Sequence, residues 1–258
     1  MPVSIAPSHH DDITTDPHYD HRVSLAACFR MAARLNMDEG VGNHFSYAVS
    51  DDGKQFLMNP FGRHFSNMRA SDLILLNAND DQTMARAHRP DPTAWAIHGA
   101  MHRNLPQARC VMHLHCKYAT VLATLSESHL PPIDQNAMRF FNRISVDHDF
   151  GGMGLDDEAE RLTTCLGGNR VLIMGNHGVM VVGETIARTF DELFYLERAC
   201  ENYILALHTG KPLRIASDAV AERTAQQWND YLTRVGIADA HLREIHEILD
   251  REAPDYKN

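Results

Sequence analysis

Two histidines stand one residue apart in the stretch VMHLH, at positions 113 and 115. In a β-strand the side chains at i and i+2 point to the same face, so His113 and His115 would project together. Two imidazoles on one face can share a cation such as Zn, Mn or Fe. The alternative is a pair of core histidines satisfied by backbone groups, since burying imidazoles without partners is costly. As a metal site, the pair needs a third ligand.

The best candidate for the third ligand is His177, in the stretch MGNHGVMVV. It lies at a tight turn between two apolar strands, where the neighbouring Gly178 permits close approach of the backbone. Three histidines that leave one coordination position open are typical of a catalytic metal site rather than a closed structural one. Cys116 follows His115 but points to the opposite face by strand alternation, so we do not expect it among the ligands.

Short apolar strands and amphipathic helices surround these histidines. The segment RCVMHLH predicts a buried strand, and NRVLIMGNHGVMVVGE predicts two strands joined at His177. We expect a helix between Asp91, a suitable N-cap, and Pro106. The longest helix should run from about Thr185 to His208, because its apolar residues step by three and four.

The composition is that of an acidic globular protein. Of 258 residues, 24 are Lys or Arg and 34 are Asp or Glu, so the formal net charge is −10. Such a chain is a poor candidate for binding nucleic acid or an anionic membrane. No apolar run has the length that a membrane span requires. Five cysteines without a C-x-x-C pair favour reduced thiols and a cytoplasmic location.

A single domain is the simplest organisation. Residues 1–18 are polar and contain three prolines, which predicts an extended or disordered arm. Residues 19–258 show no repeat, low-complexity run or linker in their sequence. Residues 217–250 predict two polar helices. We therefore expect one domain over 19–258 that ends in a helical tail.

Five ordered blocks of sequence resemble the class II aldolase/adducin family, and look closest to its adducin-like bacterial branch. The blocks are GVGNHFSYAV, FLMNPFG with ASDLILLN, HGAMHRNLPQARCVMHLHC, GNHGVMVVGE and FYLERACENYIL, spread over about residues 21–208. The resemblance implies an α/β fold, a three-layer α/β/α sandwich around a mostly antiparallel central sheet, in a protein that is usually a tetramer. It also implies that His113, His115 and His177 bind a divalent metal, usually zinc, with manganese and iron as alternatives.

The positions that carry the base and the phosphate cradle in the family's sugar-phosphate aldolases differ in this chain. Ala94 stands where those enzymes have an acid that serves as base. Pro92 and Thr93 replace their phosphate-binding serines, and the turn Asn59–Gly62 replaces their TPTG-like phosphate-binding turn. Gln135 occupies the place of their tyrosine acid. A metal site without the phosphate cradle predicts a non-phosphorylated substrate.

Six further residues are candidates for direct roles in the site. His98 lies one helical turn beyond Ala94 and could be the missing base, whereas we expect His102 on the helix surface. Tyr231 could donate a proton across a subunit interface. The candidate catalytic residues are His98, Gln135 and Tyr231, and the candidate substrate-binding residues are Asn43, Gly62 and Arg63. The alternatives are a helix start for Gln135, a packing role for Tyr231, a turn for Asn43 and a solvated side chain for Arg63.

Together these features predict a divalent-metal-dependent lyase. It would cleave a carbon–carbon bond of a small hydroxy-carbonyl or hydroxy-carboxylate substrate, by retro-aldol cleavage or decarboxylation, through a metal-stabilised enolate. One alternative is a non-catalytic adducin-like binding module with a structural metal. Another is an Fe(II)-dependent oxygenase on the same scaffold. The expected partners are a small-molecule substrate and further copies of the chain, as a homotetramer.

Overall fold

The structure, a computed structural model, describes residues 13–153 and 158–258. Its strands are β1 (His44–Ala48), β2 (Gln55–Met58), β3 (Ile74–Asn77), β4 (Cys110–Leu114), β5 (Ile144–Asp147), β6 (Val171–Met174) and β7 (Gly178–Gly183). Its helices are α1 (Tyr19–Arg34), α2 (Pro92–Asn104), α3 (Lys117–Ala123), α4 (Gln135–Arg139), α5 (Glu158–Leu166), α6 (Ile186–His208), α7 (Asp218–Asp230) and α8 (Ile237–Glu252).

The strands form one sheet in the order β3-β2-β1-β4-β7-β6-β5. Among the described strands, neighbours are antiparallel except β5 and β6, which run parallel. This confirms the prediction of a mostly antiparallel central sheet. The short, half-buried β5 was missing from the sequence analysis, because the alternation of ISVD extends over only four residues, the lower limit for recognising a strand.

Helices cover both faces of the sheet, which confirms the α/β/α sandwich. Helices α1, α3 and α6 pack on one face, against side chains such as Phe45, Met112 and Val181, and α8 packs on α1 and α6. Helices α2 and α5 pack on the other face, against Val111 and Met180. Met112 and Val111 are successive residues of β4, so they point to opposite faces of the sheet. His113 shares the face of Val111 and therefore lies on the side of α2 and α5.

Side-chain caps explain where helices α2 and α6, which pack against β4, begin. The Asp91 side chain accepts hydrogen bonds from the backbone N–H groups of Thr93 and Ala94, so it caps α2 as predicted. The Thr185 hydroxyl accepts from the Arg188 N–H and caps α6 in the same way. The tail contains the two predicted helices, α7 and α8.

The sequence predicted an N-terminal arm over residues 1–18 and a single domain over residues 19–258. The predicted arm over residues 1–18 lies for the most part outside the described residues, where only 13–18 can be compared, and Ile13–Thr15 form a 3-10 turn. The single domain over 19–258 stays a prediction. Within the described chain no helix is both long and apolar enough to cross a membrane.

Candidate metal centre

The three predicted ligands converge where β4 and β7 meet. His113 lies in β4, His115 lies just beyond its end, and His177 lies in the turn before β7. The pairing of β4 with β7 brings that turn next to the end of β4. One ligand atom from each imidazole lies within 4.8 Å of the others. The three rings are therefore close enough to bind one ion.

Hydrogen bonds on the far side of two rings leave their Nε2 atoms free of protons. The Nδ1 of His113 lies 3.0 Å from the Val179 carbonyl, and the Nδ1 of His115 contacts the Glu39 carboxylate. Both partners can only accept, so in the neutral rings Nδ1 carries the proton. The two Nε2 atoms lie 3.0 Å apart. Two lone pairs at that distance repel each other unless a cation lies between them, and tetrahedral Zn–N geometry places such atoms about 3.4 Å apart.

Burial keeps His113 and His177 neutral, as metal ligands must be. Burial is the main cause that lowers the pKa of His113 well below its ordinary value, and nearby His44 and His177 lower it further. Burial, followed by the charge of His115, lowers the pKa of His177 to about 4. Neutral imidazole is the form that binds metal, so the donor set fits a divalent ion.

Two glycines allow the turn of His177 to pack against its neighbours. A Cβ on Gly178 would lie 2.7 Å from the His115 ring and 2.7 Å from the Leu114 carbonyl oxygen. A Cβ on Gly175 would lie 2.6 Å from the carbonyl oxygen of Asp147. Any side chain at Gly178 would thus push against one of the ligands.

The triad opens into a cavity of about 470 Å³. Its other polar walls are His44, Asp91, Thr93 and Asn176, and its apolar walls are Ile97, Phe150 and Met153. Among the described residues that line the cavity, none is a lysine or an arginine. The site therefore has room for a small organic ligand, and its described walls offer an anion no lysine or arginine side chain.

A chain of buried hydrogen bonds runs from this cavity into the protein. His44 Nδ1 lies 2.7 Å from His98 Nε2, and His98 Nδ1 lies 2.5 Å from the Ser46 hydroxyl. The same hydroxyl lies 2.7 Å from His102 Nε2, and His102 Nδ1 lies 2.6 Å from the Ala108 carbonyl oxygen. The His44 ring stacks on His113 with a centroid distance of 4.8 Å.

The prediction that His102 lies on the helix surface is wrong, because His102 belongs to this buried hydrogen-bond chain. His98 and His102 both face the sheet and are buried, because α2 packs this face against Ser46 of β1. His98 has no exposed surface and does not line the cavity. It lies behind His44, so the structure does not place it where a substrate would touch it.

The structure does not bring the other candidate residues to the triad within one chain. Gln135 and Tyr231 line a separate cavity beside Trp228. Asn43 is buried, and its side-chain oxygen accepts from the Glu39 N–H. Their roles in catalysis or binding stay predictions.

The remaining two candidates flank the turn that follows β2. Gly62 has a left-handed backbone, with φ +78°. Arg63 pairs with Asp72 at 2.9 Å and donates to the Asn67 carbonyl at 2.8 Å. Neither residue lines the cavity of the triad, and their roles in substrate binding stay predictions as well.

The sequence analysis missed Glu39, the acceptor that orients His115. Glu39 precedes its partner by 76 positions, and nothing in the segment MDEGVG distinguishes it from a solvated acid. Ala94 is buried among apolar residues such as Phe56 and Met58 and does not line the cavity. His44, whose position depends on the pairing of β1 with β4, lines the cavity and stacks on His113.

Most of the sequence matches the model of one known protein family. The family model described as "Class II Aldolase and Adducin N-terminal domain" matches residues 23–204. The chain belongs to the class II aldolase/adducin family. The match covers all three histidines of the triad, α2 and the strands around them, so the family assignment and the candidate metal centre concern the same part of the molecule.

Individual members of the class II aldolase/adducin family resemble the chain over most of its length. A putative aldolase class 2 protein of Caulobacter vibrioides is 29% identical over 246 residues, which cover 94% of this chain and 93% of the relative. Decarboxylase NovR of Streptomyces niveus is 31% identical, with 84% of each chain covered. The crystal structure of an aldolase II superfamily protein from Pseudomonas syringae superposes with a TM-score of 0.84 at 28% identity, covering 95% of this chain and 97% of the other.

Proposed function

We propose that the protein is a divalent-metal-dependent lyase that cleaves a carbon–carbon bond of a small, non-phosphorylated hydroxy-carbonyl or hydroxy-carboxylate substrate. The observation that carries this proposal is the pair of unprotonated Nε2 atoms of His113 and His115, 3.0 Å apart and beside His177. Decarboxylase NovR, a relative with a lyase name, supports the same class of reaction.

His113, His115 and His177 would hold the metal. When bound, a divalent ion polarises adjacent substrate oxygens and stabilises the negative charge that develops as a carbon–carbon bond breaks. The chain itself orients the ligands, because the Val179 carbonyl and the Glu39 carboxylate hold the protons at Nδ1. Partners of this kind fix the orientation of the ring and raise the basicity of the ligand nitrogen.

The walls of the cavity support a substrate without phosphate. A phosphate group needs cations or several backbone N–H donors, and the described lining contains neither lysine nor arginine. Ile97, Phe150 and Met153 provide an apolar surface opposite the polar triad. A substrate that combines vicinal oxygens with an apolar part suits both surfaces.

We further propose zinc as the metal, with manganese and iron as alternatives, and a homotetramer in the cytoplasm. The free cysteines of the described chain support a reducing compartment. In such an assembly Tyr231, which is exposed in the single chain, would be available to a site on a neighbouring copy.

The test is the metal content of the purified protein, measured by mass spectrometry without added metal. We expect about one equivalent per chain, as one triad predicts. His113→Ala and His177→Ala should both lose it. The control is His208→Ala, which removes an exposed histidine at the end of α6 and should keep the metal.

Product analysis then tests the reaction. Hydroxy acids and hydroxy ketones without phosphate, with and without aromatic groups, would be screened for released carbon dioxide and for carbonyl products. A protein that binds no metal after reconstitution would overturn the lyase and leave the binding module. Bound iron with substrate-dependent oxygen uptake would replace the lyase with the oxygenase.

A further inference from the structure

We infer that the hydrogen-bond chain behind the cavity fixes His44 as the Nδ1–H tautomer, so that its bare Nε2 accepts the hydroxyl proton of the substrate. His98, Ser46 and His102 act as positioning residues for that nitrogen. The inference rests on the proposed function for the identity of the substrate, but the tautomer itself follows from the hydrogen bonds alone.

The hydrogen bond to the Ala108 carbonyl determines which atom donates in every other hydrogen bond of the hydrogen-bond chain. The Ala108 carbonyl oxygen can only accept, so His102 must carry its proton on Nδ1, at 2.6 Å. A neutral His102 then has a lone pair on Nε2. The Ser46 hydroxyl, 2.7 Å away, must donate its only hydrogen to that lone pair.

The Ser46 hydroxyl in turn fixes the proton positions of His98 and His44, which lie between it and the cavity. Having given its hydrogen to His102, the Ser46 oxygen can only accept, so His98 must be protonated on Nδ1. His98 Nε2 is then an acceptor, and His44 must donate to it from Nδ1 at 2.7 Å. His44 Nε2 is left without a proton, and His44 lines the cavity of the triad.

His98 and His102 must be neutral for this order of protons, and their surroundings make them so. Burial is the first cause that lowers the pKa of His102 to about 4, and Arg109 and Arg103 lower it further. Burial also lowers the pKa of His98 well below its ordinary value, with smaller contributions from His44 and His102. The described part of the chain offers no carboxylate hydrogen-bonded to either ring.

This tautomer makes His44 available as a base in a chain that has no acid at Ala94. Retro-aldol cleavage needs a base, because the hydroxyl proton has to leave as the carbonyl forms, whereas decarboxylation needs none. The proton passes to His44 Nε2, and the O–H electron pair forms the new C=O bond. The electron pair of the breaking C–C bond becomes the C=C bond of an enolate, and the π pair of the original carbonyl moves to its oxygen. His44 then returns the proton to the α-carbon of that enolate, which restores the carbonyl group. The inference thus favours a substrate with a free hydroxyl β to a carbonyl.

The experiment reads the tautomer directly. Long-range 1H–15N correlation spectra of protein with 15N-labelled histidines distinguish a protonated Nδ1 from a protonated Nε2. His44 is assigned by the loss of its signals in His44→Gln. In the parent, at neutral pH, we expect the proton of His44 on Nδ1, in both the metal-stripped and the zinc-loaded protein.

Two variants separate positioning from general structural damage. Ser46→Ala removes the hydroxyl that links His98 to His102, so the tautomers of His98 and His44 should become mixed. Ser128→Ala removes another buried serine hydroxyl, which donates to the Leu125 carbonyl and not to any member of the hydrogen-bond chain, and should leave the His44 pattern unchanged. If Ser46→Ala does not fold, His102→Gln breaks the same chain at its inner end and serves as the second variant.

The outcomes distinguish this inference from the proposed function. A parent His44 with its proton on Nε2, or an unchanged pattern in the folded Ser46→Ala or His102→Gln variant, would overturn the positioning chain even if metal binds. The expected tautomer in a protein that never binds metal would leave the chain standing and refute the lyase. The expected tautomer in the parent, lost in Ser46→Ala and kept in Ser128→Ala, supports the inference.

Discussion

At the scale of single residues, the candidate site depends on where protons are held. His113 and His115 have Nε2 atoms available to a metal because acceptors occupy their Nδ1 atoms, and the residue that follows His177 has no side chain. Gly178 has an ordinary backbone conformation, so the demand for glycine there comes from space and not from φ. The His115 ring fills the space where a Cβ would lie.

Gly178→Ala should therefore weaken metal binding while the fold survives. The new methyl group would lie 2.7 Å from the His115 ring and from the Leu114 carbonyl, so the ring must shift. We expect zinc affinity to fall on the order of ten- to hundred-fold, as it does when ligand orientation is disturbed. Competition with a chromophoric chelator measures the change. Gly168→Ala is the matched control, because no atom lies within 4 Å of its Cβ; equal affinities in both variants would contradict the argument.

At the scale of elements, helix α6 holds the start of α3, which follows β4 in the chain. Helix α3 begins two residues after His115, and its N-cap residue Cys116 makes no side-chain capping bond. Instead, the Glu197 carboxylate of α6 accepts hydrogen bonds of 2.9 Å from the N–H groups of both Tyr118 and Ala119. A negative charge at a helix N-terminus is also favoured by the helix dipole. The end of β4 is thereby tied to α6.

Glu197→Ala should destabilise the protein by about 1–3 kcal/mol, because the buried N–H of Ala119 and the partly buried N–H of Tyr118 lose their acceptor. Urea unfolding at neutral pH measures the free energy. Glu201→Ala, one turn further along α6, breaks a surface pair with Arg198 and should cost less than about 1 kcal/mol. Similar losses in the two variants would mean that Glu197 does not cap α3.

At the scale of the whole molecule, buried neutral histidines link global stability to pH. The folded-state pKa of His102 is about 4, below its ordinary value of 6.5, because burial disfavours the charged ring. Between these two values the unfolded state binds more protons than the folded state. The stabilising contribution is therefore fully present above the unfolded pKa and is lost as the pH falls towards the folded pKa.

The free energy of unfolding should thus fall on acidification, and His102→Gln should show a smaller fall. For His102 alone we expect about 2 kcal/mol between about pH 7.5 and about pH 5, since each pKa unit corresponds to about 1.4 kcal/mol. Urea titrations of both proteins at the two pH values measure the difference, in which the other titrating groups cancel. Parallel losses in the parent and the variant would show that His102 is not buried in its neutral form.

Much of the metal centre could be predicted because strand periodicity acts within a single element. Alternation alone assigns His113 and His115 to one face and Cys116 to the other, and the buried position of Cys116 in the opposite core agrees. The capping of α2 by Asp91 is similarly local, since the cap and its donors lie within three residues. The three-layer fold came with the family resemblance, whereas His177 was predicted as the third ligand from its place in a glycine-flanked turn between two apolar strands.

Only the tertiary structure decided how those residues are supported. Glu39 reaches His115 across 76 positions, and His44 reaches His98 across 54, so no local pattern marks either contact. The burial of His102 depends on which face α2 presents to β1, and two histidines four residues apart suit a surface or an interior equally well. The sequence by itself determined which side chains share a face. The pairing of strands and the packing of helices determined which proton acceptor each imidazole meets, because those distances depend on contacts between elements far apart in the chain.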